Sequence, residues 1–235
     1  MPIQTVFLDA GGVLVNPNWS RVSDTLGRHG VGVRAAALAA AEPHAKKRLD
    51  TGDSVSATND AQRGWTYFNL VLTQAGVTLS DATTAALAEL HAYHQQFNLW
   101  ESVPDEVHPA LAALRARGFK LVVVSNANGR LRYLFDRLGL SGALDALFDS
   151  FDEGVEKPDP RFFRRALERT GAEAQSTIHV GDFYHIDVAG ARAAGITPVM
   201  LDVAGLYPEC DCLRVRSLTE LVRVLGDGSG LVASC

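Results

Sequence analysis

From residue 105 to residue 202 the sequence alternates between two hydrophobic periods, and this restricts the fold more than any other feature. Val107, Leu111 and Leu114 recur at helical spacing, with Arg115 and Arg117 near the end and Gly118 as the stop. KLVVVSN, residues 120–126, is a β-branched run without alternation, the pattern of a strand buried on both faces. Leu131, Leu134, Phe135 and Leu138 form the next helical stripe, closed by Gly139, and residues 147–151 read as a short strand. Asp159-Pro160 is an N-cap followed by proline at the first helical position, and that helix runs to Gly171. A strand over 177–180, a helix over 185–194 and a final strand over 198–202 complete the series. Strands alternating with helices predict a parallel sheet covered by helices on both faces, an α/β fold.

Residues 15–104 carry little strand signal. An alanine-rich stretch over 35–41 is interrupted by Pro43, and Ala86, Leu90, Tyr93, Phe97 and Trp100 repeat as a helical seam. The expected organisation is a core of residues 1–14 and 105–235 with an all-helical insertion over 15–104. Asn16-Pro17-Asn18 and the prolyl segment at 102–104 mark the junctions. At 235 residues and 47% hydrophobic the chain can bury a full core. A net charge of −5 and the lack of a dominant basic tract argue against a nucleic-acid surface. The N-terminal MPIQTVFLD reads as neither signal peptide nor membrane span, so the expectation is no membrane association. Cys210, Cys212 and Cys235 do not form a disulfide framework, which fits a reducing, cytoplasmic setting. Cys210-Asp-Cys212 reads as a chance pair in a surface loop in preference to a metal site.

The polar residues fall where such a sheet binds ligands. Asp9, Ser125 and Asp182 each stand just past a predicted strand, and open parallel sheets form their crevice beyond the carboxyl ends of the strands. Lys157 lies in a loop that can reach the same rim, and Asp187 follows Asp182 by five residues. Clustered carboxylates repel, so a cation is expected among them. Oxygen-only ligands favour Mg²⁺, and magnesium with a lysine forms a receptor for a phosphoryl group.

In order along the chain, LDAGGVL, VVVSNAN, VEKPDP and HVGDFYHID resemble the four motifs of the haloacid dehalogenase-like superfamily. The resemblance implies a Rossmann-like three-layer core with a helical C1 cap inserted between motifs one and two. It implies a hydrolase, most simply a phosphatase acting on a small phosphorylated substrate. Asp9 is then the nucleophile. Ser125, Asn126 and Lys157 bind the phosphate, and Lys157 also takes part in catalysis. Asp9, the Gly11 backbone carbonyl, Asp182 and Asp187 hold Mg²⁺.

One position departs from the family's phosphatases. Their residue two after the nucleophile is an aspartate that protonates the leaving group, and here it is Gly11. Three readings stay open: a phosphatase with a weakened or substituted acid–base step, a 2-haloacid dehalogenase-type hydrolase, or a non-catalytic protein binding a phosphorylated ligand or a protein partner. His44, Tyr67, His91 and His94 of the insertion are candidate substitute acids, each with an ordinary packing or surface reading. Trp19, Trp65, Tyr67 and Phe68 read as core of the insertion in preference to a substrate platform. The substrate and the oligomeric state are not legible.

Overall fold

The computed structural model describes residues 2–57 and 60–226. The chain divides into two compact units, Met1–Asn16 with Val103–Cys235, and Pro17–Ser102.

The first unit is built on a six-stranded parallel sheet. Its strands are β1 (Thr5–Leu8), β2 (Lys120–Ser125), β3 (Ala146–Asp149), β4 (Thr177–Gly181), β5 (Thr197–Leu201) and β6 (Leu213–Val215), in the order β3-β2-β1-β4-β5-β6. β1 is central, and its four residues are all buried. Phe7 packs with Val122, Val124, Phe162, Phe163 and Ile196 in a closed apolar cluster. Truncating such a side chain to alanine costs about 3–5 kcal/mol. The pairings Leu8↔Val123 and Leu8↔Val180 bring the carboxyl ends of β1, β2 and β4 level.

Three local features depart from the sequence pattern. β3 stops at Asp149, because the Asp149 carboxylate accepts the Phe151 N–H at 3.0 Å and starts the short helix Ser150–Glu153. The helix expected over 185–194 opens with a π-turn, Tyr184–Val188, before Ala189–Ala193. The wider turn shows in the Val188 N–H, which reaches back to the Phe183 carbonyl at 3.4 Å. The sheet also continues past residue 202, because β6 adds to β5 through Val199↔Leu213. A strand of this length carries too few residues to show a period.

The second unit is helical among the described residues, with helices Trp19–Arg28, Ala35–Leu49, Gly52–Ala57, Asp60–Gln74 and Asp81–Phe97. Pro43 does not interrupt its helix: strong helix formers surround it, and burial of Leu38, Ala41, Ala45 and Leu49 holds both halves in line. The seam ends sooner than its spacing suggests. Asn98 takes φ +68°, so Trp100 lies beyond the helix. Trp19, Tyr67, Phe68 and Trp100 stack against one another, with Tyr67 and Phe68 centroids 5.0 Å apart. The Trp65 side chain lies outside the described residues. Buried Glu42 accepts hydrogen bonds from Trp19 Nε1 (3.2 Å) and Tyr67 Oη (2.8 Å) and pairs with Lys46 Nζ at 2.9 Å. No helix of the described residues is long and apolar enough to cross a membrane.

Candidate active site

Asp9 follows the central strand directly, and its N–H extends the ladder to the Val180 carbonyl at 2.9 Å. Ser125 ends β2 and Asp182 follows β4. The strand order reverses between β1 and β4, and this is where open α/β sheets place their ligand crevice. After Asp9 the chain turns tightly, with the Ala10 carbonyl accepting from Leu14 (2.8 Å) and Val15 (3.0 Å). Gly12 carries the left-handed backbone (φ +79°), whereas Gly11 pairs with Val15 in a one-residue bridge. The turn therefore requires glycine at residue 12.

Lys157 is buried at the centre of the cluster. Its Nζ stands 2.7 Å from Asp9 Oδ1 and 2.7 Å from Asp187 Oδ1. The Asp187 contact has hydrogen-bond geometry, while the Asp9 contact lies off that line and is an ion pair. Asn126 positions this lysine from behind. Its Oδ1 accepts the Lys157 N–H at 2.7 Å, and its Nδ2 donates to the Lys157 carbonyl at 3.0 Å. Both groups of the Asn126 amide are thus spent on the Lys157 backbone. Ser125 is buried at the strand end, and its hydroxyl has only a 3.5 Å contact with the Asn126 carbonyl.

The π-turn returns Asp187 beneath β4. Asp187 Oδ2 accepts the Phe183 N–H at 3.1 Å, and Oδ1 accepts from Lys157 and from His179 Nε2 at 3.0 Å. A β-carbon at Gly181 would overlap the Asp187 carboxylate, so only glycine admits this return. One carboxylate oxygen from each of Asp9, Asp182 and Asp187 lies within 4.8 Å of the other two, and all three residues are buried.

The electrostatics follow from these contacts. Burial alone would depress the Lys157 ammonium, but the Asp187 and Asp9 carboxylates outweigh it and raise its pKa. Burial alone would raise Asp187, yet the Lys157 ammonium and the His179 hydrogen bond leave it below the usual carboxylate range. Burial dominates at His179 and lowers its pKa, so the imidazole is neutral and its Nε2–H donates to Asp187. Its Nδ1 has no hydrogen-bond partner.

Two residues here escape sequence reasoning. His179 sits within an apolar strand, where a histidine reads as core. Its only signal is its place two residues before Gly181, on the same face of β4. Asp149 ends β3 level with Ser125 and accepts from the Gly129 N–H (2.9 Å) and the Leu131 N–H (3.3 Å), fixing the loop that follows Ser125. Burial raises its pKa against those bonds. Its signal is the same apolar-run-then-aspartate pattern as at Asp9.

Of the helical unit's candidate residues, His44 and His91 are exposed and Tyr67 is buried against Glu42. Burial, with His91 nearby, pushes His94 down to about 4, and its Nδ1 accepts the Leu99 N–H at 3.2 Å.

Residues 3–195 match the haloacid dehalogenase-like hydrolase family. The chain is 37% identical over 134 residues to mouse haloacid dehalogenase-like hydrolase domain-containing protein 3, which covers 57% of this chain and 52% of that protein. It thus spans about half the length of that curated relative. It is 31% identical over 172 residues to the glyceraldehyde 3-phosphate phosphatase of Methanopyrus kandleri, covering 68% of this chain and 72% of that one. Among solved structures, the HAD-hydrolase YfnB of Bacillus subtilis has the same fold, with a TM-score of 0.69 at 18% identity over 96% of this chain and 100% of that one. The protein belongs to the haloacid dehalogenase-like hydrolase family.

Proposed function

We propose that the protein is a Mg²⁺-dependent phosphatase that acts on a small phosphorylated metabolite through an aspartyl-phosphate on Asp9. The observation that carries this reading is the buried cluster of Asp9, Asp182 and Asp187, with Lys157 against Asp9 and Asp187. Among the described residues three buried carboxylates gather while Lys157 pairs with two of them, and a divalent cation would offset their mutual repulsion. The donors are all oxygen, which suits Mg²⁺. Asp9, Asp182, the Gly11 carbonyl and Asp187, directly or through water, would hold the ion. Bound there, Mg²⁺ would polarise a phosphoryl oxygen.

The chain's own groups then have defined tasks. Lys157 pairs with Asp9 and orients it. An Asp9 carboxylate oxygen attacks phosphorus as the bond to the leaving oxygen breaks. Ser125 and Lys157 stabilise the equatorial oxygens, and Asn126 serves phosphate binding by fixing Lys157. Water then attacks the aspartyl-phosphate and regenerates Asp9. Gly11 offers the leaving group no proton, so aryl and acyl phosphates should react faster than alkyl esters. The helical unit Pro17–Ser102 corresponds to the family's cap and selects for a small substrate. The Methanopyrus kandleri relative is named for glyceraldehyde 3-phosphate, a substrate of that class.

Gly11 also favours a second reading, a 2-haloacid dehalogenase, since that branch too lacks the second aspartate. Gly181-Asp182 and the three-carboxylate cluster weigh against it, because that branch resembles Ser-x-Asn at this point and uses no metal. A panel of phosphate esters and haloacids, assayed with and without Mg²⁺, separates the readings. Phosphate release that requires Mg²⁺ supports the proposal. Metal-independent halide release supports the dehalogenase, and silence with ligand binding intact supports a binding protein.

A further inference from the structure

The Cys210-Asp211-Cys212 motif takes no part in this chemistry. It lies in the loop between β5 and β6, where both cysteines are partly buried and unbridged. Their Sγ atoms stand 3.2 Å apart. Residues two apart have Cα atoms at most about 7 Å from each other, and a turn brings them into the bridging range of about 4.4–6.8 Å.

The loop holds the pair facing. Asp202 accepts the Leu206 N–H at 2.8 Å and the Tyr207 N–H at 3.1 Å, and the Cys210 N–H donates to the Tyr207 carbonyl at 3.1 Å. Asp211, between the cysteines, accepts from Arg192 Nη2 (2.9 Å), Arg192 Nη1 (3.1 Å) and Tyr184 Oη (2.9 Å). This turns the Asp211 side chain toward a fixed cation. Val188, Met200 and Tyr207 pack with the two cysteines.

We propose that Cys210 and Cys212 form a site of reversible oxidation, a dithiol that a low-molecular-weight disulfide converts to an internal Cys210–Cys212 disulfide. A bond around one intervening residue removes little entropy from the unfolded chain, so it would not serve as a staple of the fold. The chemistry is thiol–disulfide exchange. The Cys210 thiolate attacks one sulfur of the small disulfide, forming a mixed disulfide and expelling one thiolate. The Cys212 thiol then gives its proton to solvent, and its sulfur attacks Cys210 Sγ and expels the second thiolate. Two protein thiols are oxidised and one small disulfide is reduced to two thiols. Burial and the contact with Cys210 push the Cys212 thiol up to about 12, which disfavours Cys212 as the first attacker.

The test uses the full chain and oxidised glutathione. The protein is quenched in acid, alkylated and digested with trypsin. Arg192 and Arg214 release both cysteines in one peptide, residues 193–214, while Cys235 falls in another. The wild-type 193–214 peptide should lose its alkylation, carry no glutathione, and recover both thiols on reduction. Cys212→Ser should stop at a glutathione adduct on Cys210. A wild-type peptide that stays fully alkylatable, or that ends as a stable glutathione adduct, would overturn the proposal. An adduct-free Cys212→Ser protein beside an oxidised wild type would overturn the assigned order of attack.

Discussion

Each of the two units buries a carboxylate beside a lysine, and the difference between the sites separates structure from chemistry. In the helical unit, Glu42 is met by one ammonium and two neutral donors, Lys46, Trp19 and Tyr67. The charges of that pair cancel. In the sheet unit, Asp9, Asp182 and Asp187 lie together, and Lys157 meets both Asp9 and Asp187, with a neutral histidine behind. There one ammonium is shared between two carboxylates. A balanced buried pair settles an interior, whereas an unbalanced one costs several kcal/mol per ion unless a ligand completes it.

The largest expected effect is on turnover. Asp9→Asn removes the attacking oxygen and should lower phosphate release by at least on the order of 10⁴-fold. The circular dichroism spectrum should stay that of the wild type, since the substitution also relieves like-charge repulsion. Unchanged phosphatase activity would remove Asp9 from the mechanism.

The two lysine–carboxylate sites should then separate in stability. Lys157→Met leaves three buried carboxylates without their ammonium and should lose about 3–5 kcal/mol, partly restored by Mg²⁺. Glu42→Gln keeps the hydrogen-bonding shape, should lose only about 1–3 kcal/mol, and should respond to Mg²⁺ no more than the wild type does. Thermal melts of both variants with and without Mg²⁺ measure this. Equal responses to the ion would erase the distinction.

The helical unit offers a pH handle that does not involve the carboxylate cluster. His94 titrates near 6.5 when unfolded and near 4 when folded, so the unfolded chain binds more protons between those values. The stability due to neutral His94 is present above pH 6.5 and is lost as pH falls toward 4, by up to about 3 kcal/mol. His94→Gln should flatten that slope in melts between pH 7 and 4. An identical slope in the variant would place the acid sensitivity elsewhere.

A smaller effect tests the missing acid. Gly11→Asp should raise turnover of alkyl phosphates by about tenfold or more, within the usual range for general acid catalysis. Because Gly12 carries the left-handed turn, the substitution meets no φ penalty at residue 11. A folded variant with no gain would move a substitute acid, or a non-hydrolytic role, ahead.

The sequence reveals the sheet and the positions of the site residues because both rest on local signals. Unbroken apolar runs mark buried parallel strands, and a polar residue just past such a run marks the rim. Asp9, Ser125 and Asp182 are read in this way. The partnerships are tertiary and leave no local trace. Asn126 is legible as a polar loop residue, but its grip on the Lys157 backbone joins residues 31 apart in sequence. His179 is hidden by its apolar strand, and its contact with Asp187 depends on a π-turn that helical periodicity does not announce. β6 is too short to show a period, and Pro43 overstates a break that burial overrides. The Cys210–Cys212 contact reads from sequence as chance, because only the folded loop brings the sulfurs together.

On the function proposed above, the three-carboxylate cluster is built to hold a divalent cation. Titration calorimetry of Mg²⁺ into the wild-type chain and Asp182→Ala tests it most directly. Deleting a direct oxygen ligand should weaken Mg²⁺ binding strongly, and Asp187→Ala, if it acts through water, should weaken it less. Equal Mg²⁺ affinity in all three proteins, or no binding by the wild type, would contradict the claim.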